Sequence, residues 1–570
     1  MSTEVEQIKQ VSRFLRGTLK ESLADPLTGG ISPDDQALIK FHGSYLQDDR
    51  DARERRQHRK LEPAYSFMVR VRVPGGVCLP SQWLRLGELA RRYGGDTLRL
   101  TTRQAVQFHG VLKRDLRTLI RDVNSVGLDT IAACGDVNRN VICSPDPEAS
   151  ALHGQVYDTA VAVSRHLTPR TGAYREIWLN GEQVHESGAD EEPIYGRTYL
   201  PRKFKIALAI PPDNDVDVFA HDLGFIAIAE HGALAGFDVV VGGGMGMTHG
   251  VLATYPQLGR IIGCCPPDEV VEVAEAVVAT QRDFGDRTDR KRARLKYTID
   301  DRGLSWLTDE LTRRRGRALA PARPYGFTRN GDRYGWHEGY QGSSNLVLFV
   351  ENGRVRDLPD RQLLTGLREV ARVHEGDFRL TPNQNLIIGR VAPEVRPGIQ
   401  RIVDQYGLDH LQRASALRRN AMACVALPTC PLAMAESERY LPSLLDHVEE
   451  LLRGTGLDDE EITVRMTGCP NGCARPYLAE IGFVGKGPGT YNLYLGAGFA
   501  GDRLNQLYRE NIAEPEILRE LEALLRHFAR ERQPGERFGD FVVRTGYVAA
   551  VHDGRQFHRR PDRGRAAGGG

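Results

Sequence analysis

LTTRQAVQFHGV (residues 100–111) returns without a gap as LTPNQNLIIGRV (380–391), 280 positions later. Around it the likeness extends in order. LGELARRYGGDTLR (86–99) resembles LREVARVHEGDFR (367–379), and VNRNVIC (137–143) echoes LRRNAMAC (417–424). FDVVVGGGMG (237–246) answers YNLYLGAGFAG (491–501). Four matches in one order indicate an internal duplication, and a period near half the chain makes it a pseudo-twofold pair rather than a solenoid. Each half opens with a strand pair and turn (FMVRVRVPGGVCL; NLVLFVENGRVRDL), then an amphipathic helix and a strand carrying TxxQ. That order predicts an α+β layer, followed in each half by a longer module of strands such as FKIALAI and FIAIAE interleaved with helices.

The 570 residues include 41% hydrophobic and 26% charged, ordinary for a globular chain able to bury several cores. The net charge is only +1, so bulk charge gives no ground for expecting nucleic acid or a membrane surface as partner. No run of about 18 apolar residues is present, and the N-terminus has no apolar core of signal-peptide length; a cytoplasmic protein is expected. In a reducing compartment the nine cysteines read as buried, metal-binding or catalytic rather than disulfide-bonded.

Cys78, Cys134, Cys143, Cys264 and Cys265 read as small buried hydrophobes. The other four form two pairs in turn-rich sequence: Cys424 and Cys430 in MACVALPTCPLA, Cys469 and Cys473 in TGCPNGCARP. Four thiolates from two irregular loops suit an iron–sulfur cluster or a zinc ion. The wide spacing favours the cluster, whose sulfurs each reach a different iron. A non-catalytic iron–sulfur or zinc protein stays open at this point. In the duplicated frame YLPRKFK (199–205) is expected opposite the cysteine loop, placing fixed positive charge across a shared cavity from the metal. GGGMGM (242–247) fits a nucleotide loop poorly and reads as a structural turn; RERRQHRK (53–60) reads as an exposed helix face.

These stretches, with LRGTLKESLADPLTGG (15–30), FHGSYLQDDRD (41–51), EEPIYGRTYLPRKFK (191–205), TQRDFGDRTDRK (280–291) and TGCPNGCARPYLAEIGFVGK (467–486), resemble the sulfite and nitrite reductases. Within that family the likeness is greatest to the haemoprotein (beta) subunits of the assimilatory, NADPH-dependent enzymes. The resemblance implies a ferredoxin-like half-module in each repeat, followed by a larger α/β module that binds sirohaem and a [4Fe-4S] cluster. The boundaries expected are 1–64 for an N-terminal extension wrapping the core, then 65–145 and 146–325 for the first repeat. The second repeat takes 326–410 and 411–552, and 553–570 is a flexible tail.

The resemblance further implies that Cys424, Cys430, Cys469 and Cys473 hold the cluster, with Cys473 also the axial ligand of the sirohaem iron. Arg70, Arg139, Lys203 and Lys205 match the family's anion-binding residues. Arg103, Thr101, Gln107, His109, Asn140 and Asn471 match residues that line the sirohaem. The activity implied is six-electron reduction of sulfite to sulfide in sulfate assimilation and cysteine biosynthesis. Electrons would come from an NADPH-oxidising flavoprotein (alpha) subunit carrying FAD and FMN, or alternatively from ferredoxin. Nitrite is the rival substrate; in the nitrite enzymes the lysine matching Lys205 tends to be asparagine, so Lys205 favours sulfite.

Overall fold

The computed structural model describes residues 3–170, 177–179, 182–185 and 192–559. Two small antiparallel sheets carry the repeat. The first runs Ser44–Asp48, Tyr65–Val71, Val106–Val111, Leu98–Leu100, Arg354–Val355. The second runs Gly335–Glu338, Ser344–Leu348, Leu386–Val391, Asp377–Leu380, Val77–Cys78. The last strand of each sheet comes from the other half of the chain, so the two repeats exchange a strand. Register repeats as well: Arg99 lies opposite Gln107, and Arg379 opposite Ile387. The helices Pro80–Tyr93 and Leu363–Val373 cover these sheets and share one core, in which Trp83 stacks on Phe378 at 5.0 Å.

The duplicated TxxQ motif is a turn device. Thr101 Oγ1 accepts from the N–H groups of Arg103 and Ala105, and Thr381 Oγ1 accepts from those of Asn383 and Asn385. Gln104 and Gln384 adopt left-handed backbone at φ 46° and 71° and send their amides away from the turn. Gln104 Nε2 donates to Cys143 O (3.0 Å) and across the pseudo-axis to Leu380 O (2.9 Å); Gln384 Nε2 donates to Ala423 O (3.1 Å).

Two larger five-stranded sheets follow with identical topology. One has the order Ile142–Cys143, Ile206–Ala209, Leu223–Glu230, Ala233–Val241, Arg260–Cys265; the other Ala421–Ala423, Val464–Thr467, Ile481–Gly487, Thr490–Leu495, Gln506–Ile512. In each, the first two pairings are parallel and the last two antiparallel. The strand IALA is buried throughout, as parallel strands covered on both faces require. No helix among the described residues is long and apolar enough to cross a membrane.

Three sequence expectations change. Ser44–Asp48 pairs with Tyr65–Val71, so the first half-module begins inside the stretch assigned to an N-terminal extension. Residues 553–559 are packed rather than loose: Phe557 is buried against Tyr477 and Tyr494, and Gly554 N donates to Gln257 Oε1. Finally, 199–205 precedes the strand Ile206–Ala209, whereas the cysteine loop follows its equivalent, Val464–Thr467. The counterpart of the cysteine loop is therefore the loop before Leu223–Glu230. There Asp217 (φ 50°) opens a 3-10 turn just as Arg475 (φ 53°) does after the cysteines. Strand hydrogen bonding, which a faint local likeness could not reveal, fixes this alignment.

Candidate functional site

Cys424 directly follows Ala421–Ala423, and Cys469 and Cys473 follow Val464–Thr467. These strands are parallel neighbours, so their C-terminal ends deliver both loops to one place. Gly468 N donates to Cys424 Sγ (3.4 Å), and Met434 N and Ala435 N donate to Gly468 O (2.7 and 3.1 Å). A Cβ on Gly468 would stand 2.6 Å from Ala426 Cβ, so only glycine lets the loops close. Gly472 turns at φ +66°. Burial, then the charge of Cys473, raises the thiols of Cys424 (to about 12), Cys430 and Cys469. Cys473 therefore lies within electrostatic reach of the other three. Among the described residues no three His, Cys, Asp or Glu side chains converge as ligands of a single ion would. Four thiols delivered by the loops that follow two neighbouring strands suit an iron–sulfur cluster, each sulfur binding its own iron.

A cationic wall faces the exposed Cys473 across a cavity lined by Thr102, Arg103, Lys203, Lys205, Arg294 and the cysteine loop. Lys203 Nζ donates to Asn471 Oδ1 (3.3 Å), and Asn471 Nδ2 lies 3.7 Å from Cys473 Sγ. Burial first and the charge of Arg202 next push the Lys203 ammonium down to about 7. Burial, Lys203 and Arg103 hold Lys205 well below the ordinary lysine range. Arg103, driven down to about 9 by burial and by Arg139, donates to Asn140 O, to Ile206 O (2.9 Å) and toward His221 Nδ1 (3.3 Å). Its Nε is buried with no hydrogen-bond partner among the described residues. Confined like charges with an orphaned donor fit a polycarboxylate or a small oxyanion, which would relieve the repulsion.

The remaining sequence-derived residues take defined places. Arg70 donates from Nη1 to Ala133 O (3.2 Å) and toward Cys134 Sγ (3.1 Å). With its amide oxygen turned to Arg70, Gln107 accepts from Nη2 at 2.6 Å and Nε at 3.2 Å; its other end lies 3.4 Å from His109 Nε2. His109 Nδ1 then donates to Gln47 Oε1 (3.3 Å), and burial with Arg354, Arg99 and Arg70 keeps the ring neutral. Arg139 donates to Gly135 O (2.9 Å) and Ala133 O (3.3 Å). Asn140 Nδ2 donates to Val73 O, Arg103 O and Gln104 O, clamping the turn that carries Arg103. Thr101 spends its hydroxyl on the same turn, and it is Thr102 that lines the cavity, donating to Cys473 O (3.2 Å).

Sequence reasoning missed the groups that hold this wall. Asp222 receives Arg294 on both oxygens (2.9 and 2.7 Å) and also the backbone N–H of Lys205 (3.0 Å). Buried Lys296 donates to Gly244 O, Gly246 O and Tyr255 O, pinning the GGGMGM turn where Met247 N bonds Pro470 O (3.0 Å). These partners lie tens of residues apart in unremarkable local sequence, so no spacing marked them. Asp136 anchors the PRKFK segment: it receives Arg290 on both oxygens (2.7 and 2.9 Å), lies 3.7 Å from Lys9 Nζ, and its carbonyl accepts from Leu200 N.

Burial alone would raise the Asp136 carboxyl, but Arg290 and Lys9 override it and lower it to about 2. Because the folded value lies below the unfolded one of about 3.9, its contribution is present above about pH 4 and lost as pH falls through about 2. Urea titrations at pH 6 and pH 3 are expected to show a fall in stability that Asp136→Asn reduces by about 1 kcal/mol, the rest of the contribution being lost only below pH 3.

The Nitrite and sulphite reductase 4Fe-4S domain matches residues 160–319 and 414–550, and the Nitrite/Sulfite reductase ferredoxin-like half domain matches 58–126 and 337–406. The chain is 61% identical to the sulfite reductase [NADPH] hemoprotein beta-component of Geobacillus kaustophilus, covering 98% of each chain. It is 58% identical to that of Staphylococcus epidermidis, covering 97% of each. Its fold is similar to the structure of the Mycobacterium tuberculosis NirA protein, with TM-score 0.76 and 27% identity over 95% of this chain and 97% of that one.

Proposed function

Because the chain belongs to the nitrite and sulphite reductase family, we propose that it reduces sulfite to sulfide as the haemoprotein component of an NADPH-dependent sulfite reductase. The observation that carries this reading is the cavity shared by Cys473 and the ammonium groups of Lys203 and Lys205. Cys424, Cys430, Cys469 and Cys473 would hold a [4Fe-4S] cluster, and Cys473 would also reach the iron of a sirohaem. Arg103 and its neighbours would pair with the macrocycle's carboxylates. When bound, the two groups supply the iron that takes up sulfite and the path by which six electrons reach its sulfur.

The chain's own side chains do the rest. Lys203 and Lys205, which line the cavity, bind the sulfite oxygens and draw charge onto them, and Arg70 and Arg139, outside its lining, add positive charge behind them. An ammonium poised near neutral pH gives up a proton readily as each oxygen leaves as water, which suits Lys203 to general-acid work. Asn471, bonded to Lys203 and lying beside Cys473, fixes that ammonium relative to the ligating sulfur. Electrons come from an NADPH-oxidising flavoprotein component, in keeping with relatives named as beta-components.

The test is an absorption spectrum followed by turnover with sulfite and nitrite. Chlorin-type bands with cluster absorbance and a preference for sulfite are expected; a colourless protein, or nitrite strongly preferred, would overturn the reading. Lys205→Ala is expected to keep the spectrum and lose about 100-fold or more in turnover, the scale of removing one preorganised charge from a developing anion.

A further inference from the structure

The basic stretch RERRQHRK (53–60), read above as an exposed helix face, directly follows a turn, Arg50–Asp51, that is fastened to the segment carrying Cys430. Arg50 N donates to Pro428 O (3.3 Å), Arg50 Nη1 donates to Cys430 O (3.4 Å) and Ala433 O (2.6 Å), and Asp51 pairs with Arg439 (2.7 Å). Between Cys430 and the buried Ala433, Leu432 stands 62% exposed. The chain as a whole carries +1, yet residues 50–60 hold six arginines and lysines against two acids. Arg53 spends its charge on Asp48, while Arg55, Arg59 and Lys60 are exposed with no ion-pair partner among the described residues. An apolar prominence beside a thiol of the redox centre, flanked by unspent positive charge, has the makeup of a transient docking site: apolar centre, charged rim.

We propose that Leu432 and the basic face of residues 53–60 receive an acidic face of the electron-donating flavoprotein, so that electrons pass inward beside Cys430. The proposal rests on the reading that the four thiolates hold the cluster. One electron leaves the donor's reduced flavin and one is gained by the oxidised cluster; no bond forms or breaks. The charged rim steers the encounter, and its influence fades as salt screens it over a Debye length of about 10 Å at 0.1 M.

The test uses the holoprotein with a recombinant NADPH-oxidising flavoprotein component, following reduction by stopped-flow absorbance, and with reduced methyl viologen, a small donor that needs no docking surface. The double variant Arg55→Glu, Arg59→Glu is expected to lower the second-order rate with the flavoprotein about 10-fold at low salt, the deficit shrinking as salt rises. Leu432→Gln, which adds no charge, is expected to lower it about 3-fold or more at every salt concentration, as loss of a central apolar contact does. Sulfite turnover driven by methyl viologen should stay within about 2-fold for both variants, since neither touches the cavity. Unchanged rates with the flavoprotein, or equal losses with both donors, would overturn the proposal. A wild-type holoprotein that takes electrons but turns over no sulfite would instead defeat the functional reading, while the reduction rates would still judge the dock.

Discussion

Cys473→Ser is expected to yield a folded protein that has lost its chlorin-type absorbance and more than about 100-fold of its sulfite turnover, exceeding the 10–100-fold typical of residues behind a metal's direct ligands. The side chain is exposed at the cavity, so its loss costs the fold little, within about 0.5 kcal/mol. What vanishes is the soft sulfur that lies within electrostatic reach of the thiols of Cys424, Cys430 and Cys469 and that is proposed to hold iron with them. A serine hydroxyl stays protonated near neutrality and is a poor partner for iron beside thiolates. Far-UV circular dichroism, iron content and the visible spectrum together separate ligand loss from unfolding. A variant with normal bands and normal turnover would remove Cys473 from the role assigned to it.

Asp217→Ala is expected to destabilise the protein by about 3–5 kcal/mol in urea titration, with Asp217→Asn falling between it and the native chain. The fully buried carboxylate accepts from Arg465 Nη1 (2.6 Å), Arg475 Nε (2.5 Å) and Asn330 Nδ2 (3.1 Å). Burial would raise its pKa, but the two guanidiniums outweigh that and lower it. Without the carboxylate, two buried cations are left facing one another. Arg475 lies two residues after Cys473 and also reaches Thr102 O and Pro382 O, so its release is expected to loosen the cysteine loop and lower iron content as well. A loss below about 1 kcal/mol, the range of an exposed ion pair, would contradict this account.

The repeat was legible because its small modules share a constant offset, and the hydrogen bonds explain why. Thr101 and Thr381 close identical turns, and Gln104 and Gln384 leave them to hold strands at equivalent places. A motif fixed by its own backbone geometry survives duplication in recognisable form. The paired cysteines were legible for a similar reason, since their loops demand Pro, Gly and Asn. The larger modules drift to another offset, because loops between strands changed length while the strands kept their order. Hence PRKFK was expected opposite the cysteines when strand order puts it before them, although both still line the cavity. Asp217, Asp222, Arg294 and Lys296 were invisible: each acts through a partner far along the chain, and a lone buried charge has no local pattern. The family resemblance gave the role of Arg103, while the reason Thr102 rather than Thr101 faces the cavity needed the turn's hydrogen bonds.

The exchanged strands Val77–Cys78 and Arg354–Val355 bear on how such a chain could diversify. Because each copy completes its neighbour's sheet, a break between them would leave two fragments that must reassociate to restore either sheet in full. That interdependence keeps a redundant copy from being discarded. One lobe could therefore surrender its own thiols and be remade as the positively charged half of a single, lopsided chamber.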